Sequence, residues 1–257
     1  MSRWHRVHLV LTYAFLYLPI LVLMILSFNK AGLPTAWGGF SVEWYGKLFA
    51  NPKIQQAAFN SGVVALVSTV IATALGTLLA LGVERSRPSA AREALLFTPM
   101  IIPDIVLAIA LLSFFRLLKF SLGLHSIIMA HVVFNIAFVT AVVRARLKGF
   151  DWALTEVSRD LGAGPVATFW HITLPLILPS VIAAALLAFT LSVDEFIIAY
   201  FTAGAGQSST TLPMQIYSMI RFGVTPEINA MATIIMGVAF VALFAAQRLN
   251  KGQVPGM

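Results

Sequence analysis

A helix that crosses the hydrocarbon core of a bilayer needs about 20 consecutive apolar residues, and this chain offers six such runs. They are Leu9 to Phe28, Ser61 to Val83, Ala94 to Phe115, His125 to Val143, Leu176 to Tyr200 and Ile228 to Ala246. With their connections they fill nearly the whole chain, which leaves room for a single domain, 1–257, and predicts an all-α integral membrane protein with six transmembrane helices. Composition agrees: 59% of residues are hydrophobic and 11% charged, against about a quarter charged in soluble domains. There is no cysteine, so disulfides, thiolate metal sites and cysteine nucleophiles are excluded.

Arg3 and Arg6 precede the first run, as in a signal peptide, but the run is about 20 residues long and Ser27-Phe28-Asn29-Lys30 has no small-x-small cleavage site. It reads as a retained anchor. The net charge of +7 does not indicate nucleic acid, because the cations are scattered in short loops with no basic stripe or aromatic reading surface. Their distribution instead sets orientation. Arg3, Arg6, Arg85, Arg87, Arg92, Arg144, Arg146, Lys148, Arg159, Arg248 and Lys251 fall on the side of the N-terminus, while Lys30, Lys47, Lys53, Arg116, Lys119 and Arg221 fall on the other. The richer side is expected to be cytoplasmic, with both termini on it.

Two connections are more than turns. Asn29 to Asn60, on the outer side, carries Trp37, Trp44 and Tyr45, and Val42, Tyr45 and Phe49 recur at helical spacing. A short helix in the membrane interface is expected there. The inner connection, 144–175, predicts a helix-turn-helix. Asp151 can cap a helix through Glu156 and Arg159 that stops at Gly162, suited to the left-handed turn after a helix. Gly164-Pro165 opens a second short helix carrying Val166, Phe169 and Ile172, expected to run out before Leu174-Pro175. Thirty residues cannot bury their own apolar side chains, so this hairpin must pack on its bundle or on another protein.

The string Glu156-Val157-Ser158, three residues, Gly162, nine residues, Ile172-Thr173-Leu174-Pro175 resembles the EAA loop of ABC importer permeases, E-A-A-x3-G-x9-I-x-L-P. Val157-Ser158 stands where the family has two alanines. Gly39-Phe40-Ser41-Val42-Glu43-Trp44-Tyr45, Ser192-Val193-Asp194-Glu195-Phe196, Thr211-Leu212-Pro213-Met214 and Pro226-Glu227-Ile228-Asn229-Ala230 look like the spermidine/putrescine branch of these type I, MetI-like permeases, so the resemblance covers nearly the whole chain. It implies a multi-pass bacterial inner (plasma) membrane permease whose loop docks on an ATPase, with Glu156, Ser158, Asp160, Gly162, Ile172, Leu174 and Pro175 as coupling residues. The implied partners are a paralogous permease, two ATP-binding cassette ATPase subunits and a periplasmic or extracellular substrate-binding protein. No G-x-x-x-x-G-K-[ST] string occurs, so no catalytic residue and no cofactor is expected in this chain, ATP and Mg being held by the ATPase.

Three of the ten carboxylates fall within predicted spans: Asp104, Asp194 and Glu195. Each costs roughly 2.5 to 3.5 kcal/mol at the bilayer centre, so each should face a partner or a wet cavity. Asp104, ten residues from the cytoplasmic start of its span, is expected about 15 Å deep, near the midplane, just after Pro99 and Pro103, which should break the helical ladder. Asp194 and Glu195 lie near the outer end of the fifth span, and Thr190, four residues before Asp194, can share its stripe. These four are the candidate translocation-path residues. The embedded charge is all negative, which favours a cationic cargo. Headgroup-level placement or pairing with another subunit's Arg is the structural alternative for the pair, and a helix-breaking role for Asp104. His125 and His131, six apart, and His5, His8 and His171 offer no metal spacing. Permeases for iron, phosphonate or opines, a secondary cation transporter using the acids as a relay, and a non-transporting scaffold are the remaining readings.

Overall fold

The computed structural model describes residues 3–32, 36–221, 223 and 225–250, with no side-chain description at 207, 239 and 241–250. Lys251, one of the cations used for orientation, lies outside the described residues. Among those residues every regular element is helical apart from one β-bridge between Asn29 and Phe40. Four helices are long and apolar enough to cross a membrane, or five if one bent pair counts as a span. The chain divides into two compact units, 1–55 with 215–257 and 56–214.

The first unit contains α1 (Arg3–Leu26), α2 (Glu43–Ala50) and α12 (Pro226–Asn250), and α12 packs on both of the others. The short interfacial helix expected from Val42, Tyr45 and Phe49 is α2. The turn before it is closed by Asn29, whose Oδ1 accepts the Ala31 and Gly38 N–H groups at 3.1 and 2.8 Å and whose carbonyl accepts Trp44 Nε1–H at 2.8 Å. Phe28 stacks on Phe40 with centroids 5.3 Å apart.

The helix α3 (Pro52–Glu84) starts nine residues before the predicted Ser61. Its start is capped by Asn51, whose Oδ1 accepts the Lys53 N–H at 3.1 Å, and its first turns carry Gln55, Gln56 and Asn60, which an apolarity criterion excludes. The third predicted span is not one helix. α4 (Ala90–Ile101) and α5 (Asp104–Leu117) meet at 106°, because Pro103 lacks the N–H a continuing helix would need and holds Ile102 extended. The depth computed for Asp104 on a straight helix therefore does not apply. α6 (Leu124–Leu147) matches the fourth predicted run.

After α6 come α7 (Ala153–Asp160) and α8 (Pro165–Thr168). The expected stop before Leu174-Pro175 is absent: α8 runs through a π turn, Phe169–Thr173, into α9 (Leu174–Asp194), giving helix without a gap over Pro165–Asp194. In the π turn the Leu174 N–H donates to the carbonyl of Phe169, five residues back, and this wider register makes room for the Pro175 ring that an α-helical turn would exclude. The predicted fifth span ends early. α9 stops at Asp194, Glu195 is extended (φ −70, ψ 117), and α10 (Ile197–Thr202) follows. α11 (Leu212–Ile220), with Pro213 in its first turn, was not anticipated.

The core of the second unit is built where α3, α6 and α9 converge, with Ala80, Val139, Val143, Leu147, Ile177, Ala184 and Ala188 buried together. A second cluster joins α5, α6 and α10 through Leu107, Ala108, Leu111, Phe115, Ala130, Phe134 and Ile198. Gly76 allows α3 to approach α6: a Cβ there would lie 2.7 Å from Val139 Cγ1. Thr140 Oγ1–H donates to the Gly76 carbonyl at 3.3 Å.

Candidate functional site

The connection after α6 is fastened at its base. Arg144 reaches Glu84 at 3.4 Å and Glu93 at 3.1 Å, Phe150 is buried in the α3–α6–α9 core, and Trp152 packs against it. Asp151 Oδ1 accepts the Ala153 N–H at 3.0 Å, a local turn that leads into α7, but the N-cap is Trp152, which makes no side-chain cap bond, so Asp151 is not the cap the sequence predicts. At the other end Gly162 has φ +87. Its N–H donates to the Arg159 carbonyl at 2.8 Å, and the Ala163 N–H donates to the Ser158 carbonyl at 3.1 Å. This is the paired 5→2 and 6→1 termination of a Schellman motif, reached through the glycine the sequence reading assigned to it. Ser158 also shares a 3.1 Å hydrogen bond with Thr168, tying α7 to α8.

Two faces of α7 are distinct. Trp152, Thr155 and Arg159 follow at three- and four-residue spacing, and Thr155 is buried, so this face meets the bundle. Leu154, Val157 and Leu161 share a face turned well away from it, and all three are exposed, Leu161 at 83%. Val166 on α8 is 70% exposed. Glu156 and Asp160 are exposed, Ile172 and Leu174 half-buried and Pro175 exposed. The loop thus holds an apolar stripe that its own bundle does not cover.

The membrane acids sit at helix breaks. Asp104 is the first residue of α5, Asp194 the last of α9, and Glu195 lies between α9 and α10. Glu195 Oε1 accepts the Ile198 N–H at 2.5 Å and so caps α10. α5 packs on α10, so Asp104 at the start of α5 and Glu195 just before α10 lie on contacting helices. Asp104 and Asp194 are exposed. Thr190 is exposed on α9, its hydroxyl donating to the Leu186 carbonyl at 2.9 Å. Asp104 and Glu195 therefore sit at the starts of two contacting helices, while Thr190 and Asp194 lie on consecutive turns of α9.

One buried polar group escaped the sequence reading. His131 Nδ1 lies 2.7 Å from Ser192 Oγ, which lies 3.1 Å from Ser68 Oγ, linking α6, α9 and α3. His131 and Asn135, four apart in an apolar run, were its available signal. Among the described residues no three His, Asp or Glu side chains gather as a metal site.

Residues 72–252 match the family described as Binding-protein-dependent transport system inner membrane component. The chain belongs to that family. Over 255 residues it is 39% identical to Spermidine/putrescine transport system permease protein PotC of Haemophilus influenzae, covering 98% of each chain. It is likewise 39% identical over 266 residues to Putrescine transport system permease protein PotI of Escherichia coli K12, covering 98% of this chain and 94% of that one. Its fold is similar to a chain in the crystal structure of a bacterial ABC transporter involved in the import of the acidic polysaccharide alginate, with TM-score 0.75, 16% identity and coverage of 98% and 96%. A chain of the MetNI methionine ABC transporter in inward-facing conformations gives TM-score 0.63 at 19% identity, covering 79% of this chain and 96% of that one. The family resemblance read from the Glu156 to Pro175 string is thereby met, and the protein is an ABC importer permease, a translocation subunit of the inner membrane.

Proposed function

We propose that this chain is the polyamine permease of an ATP-driven importer, working beside a paralogous permease, two ATP-binding cassette subunits that hold ATP and Mg, and an external substrate-binding protein. The cargo reading rests on near-full-length similarity to permeases named for spermidine and putrescine and on membrane acids without embedded cations. Fold alone does not choose the cargo, since one structural neighbour serves an acidic polysaccharide. In this reading there are six spans, the bent α4–α5 pair and α12 completing the set, with both termini in the cytoplasm.

The observation that carries the coupling role is the uncovered stripe Leu154, Val157 and Leu161 on a helix fixed at both ends. An ATPase groove takes that stripe, Glu156 and Asp160 lie on its rim, and Gly162 sets the angle to α8. Ile172, Leu174 and Pro175 carry displacement into α9. Movement there biases the bundle between inward-open and outward-open states. At the far end Asp194, Asp104, Glu195 and Thr190 offer acceptor oxygens to an ammonium group crossing between the two permeases.

The chain has no cysteine, so Leu161→Cys gives a single reporter. It should react with a membrane-impermeant maleimide only from the cytoplasmic side and be protected by the ATPase, and labelled putrescine uptake into proteoliposomes of the whole transporter should require ATP. Labelling from outside, or uptake indifferent to ATP, would sink the reading.

A further inference from the structure

Beneath α7, on its bundle side, a crevice of about 40 Å³ is lined by Leu81, Arg85, Arg159, Pro165, Thr168, Phe169 and Thr173. Two arginines line it and, among the described residues, no carboxylate pairs with either: Glu84 and Glu93 are committed to Arg144. Arg85 is held in place, its Cζ 4.8 Å from the centre of the Trp152 ring. Burial, and then the charge of Arg159, disfavour the ionised Arg85. An anion would relieve that repulsion.

Phe169 also lines a second cavity, of about 530 Å³, between α3 and α9. Its walls are Thr69, Val70, Thr73, Ala74, Thr77 and Leu78 on one side and Leu174, Val181 and Ala185 on the other, with Trp170 beside Phe169. From Thr69 to Leu78 is nine residues, about 14 Å of helix at 1.5 Å per residue, close to one leaflet of a hydrocarbon core about 30 Å thick. The hydroxyls of Thr69, Thr73 and Thr77 have no partner, and a rotamer change lets each donate to the carbonyl four residues back. Arg85 lies seven residues beyond Leu78, about 10 Å further along the axis, and the groove is also lined by the exposed Trp170, a residue type that settles at the membrane interface.

We infer that this composite of basic crevice and leaflet-length groove holds one anionic phospholipid, its phosphate between Arg85 and Arg159 and an acyl chain along α3 and α9. Basic pockets between membrane helices on the cytoplasmic side suit such headgroups. Arg159 is 200° around α7 from Val157, so the headgroup and a protein docked on the exposed stripe do not compete. The lipid would wedge α3 to the α8–α9 helix and make coupling sensitive to membrane composition.

The full chain, purified in mild detergent and washed free of lipid, would be titrated with phosphatidylglycerol, phosphatidylethanolamine or inorganic phosphate, and occupancy read by native mass spectrometry. One phosphatidylglycerol per chain is expected, with affinity falling roughly thirtyfold in Arg85→Gln/Arg159→Gln at about 1 kcal/mol per cation, and unchanged in Arg87→Gln/Arg92→Gln. Ala185→Trp, which fills the groove and leaves both arginines, should lower occupancy as well. Equal loss in both arginine pairs, full occupancy in Ala185→Trp, equal binding of phosphatidylethanolamine, or complete displacement by inorganic phosphate would each overturn the assignment. Neither an ATPase nor a cargo enters the measurement, so its outcome is independent of the transport reading.

Discussion

Gly162 offers a clean test of the coupling geometry, because an added Cβ would meet nothing within 4 Å. Any effect of substitution must come from the backbone. At φ +87 an L-residue with a side chain is strained, by roughly 1 to 2 kcal/mol for alanine and up to about 3 for a β-branched residue, while asparagine adopts such conformations more readily. Two hydrogen bonds depend on the turn, Gly162 N–H to Arg159 at 2.8 Å and Ala163 N–H to Ser158 at 3.1 Å. A cost of about 2 kcal/mol would raise the open population of the turn roughly thirtyfold. Hydrogen exchange at these two amides should quicken in the order glycine, asparagine, alanine, valine, and ATP-driven uptake should fall in the same order while membrane insertion is unchanged. Wild-type exchange and uptake in Gly162→Val, or an asparagine variant as damaged as the valine one, would refute the reasoning.

Three further expectations follow from the geometry. Gly76→Ala puts a Cβ 2.7 Å from Val139 Cγ1 and should cost about 1 to 3 kcal/mol by overpacking, read as a lowered Tm that Val139→Ala partly restores. Glu195→Ala strips the cap from α10 and should cost about 1 kcal/mol, whereas Glu195→Gln keeps an acceptor oxygen and should retain most of the thermal stability. Asp194→Asn should weaken uptake of a cationic cargo severalfold in proteoliposomes while leaving co-purification of the ATPase intact. Unchanged uptake would make Asp194 structural.

Much of this architecture is legible in the residues themselves. The α6 and α12 helices follow from apolar length, and the inner hairpin with its turn at Gly162 from an acid, a helix and a glycine at the right interval. Each departure has its own physical cause. Proline disrupts an α-helical ladder, so Leu174-Pro175 reads as a stop, but the π turn at Phe169–Thr173 supplies a register that tolerates it. The break at Glu195 is invisible to hydropathy, since Phe196 and Ile197 are as apolar as the helix before them and only the carboxylate capping Ile198 reveals the interruption. Pro103 was recognised as a breaker, yet the 106° turn it permits depends on tertiary packing. The stripe on α7 was legible as apolar residues seeking cover; the way Trp152 and Thr155 pin the opposite face was not.

The gapless run Pro165–Asp194 spans 30 residues, about 45 Å of helix. Over that length no loop intervenes between the end touching the α7 hairpin and the end bearing Asp194, and the π turn at Phe169–Thr173 and Pro179 are the two places where the helix can bend. If the proposed ATPase pushes on α8, the displacement would reach Asp194 through continuous helix instead of diffusing away through a loop.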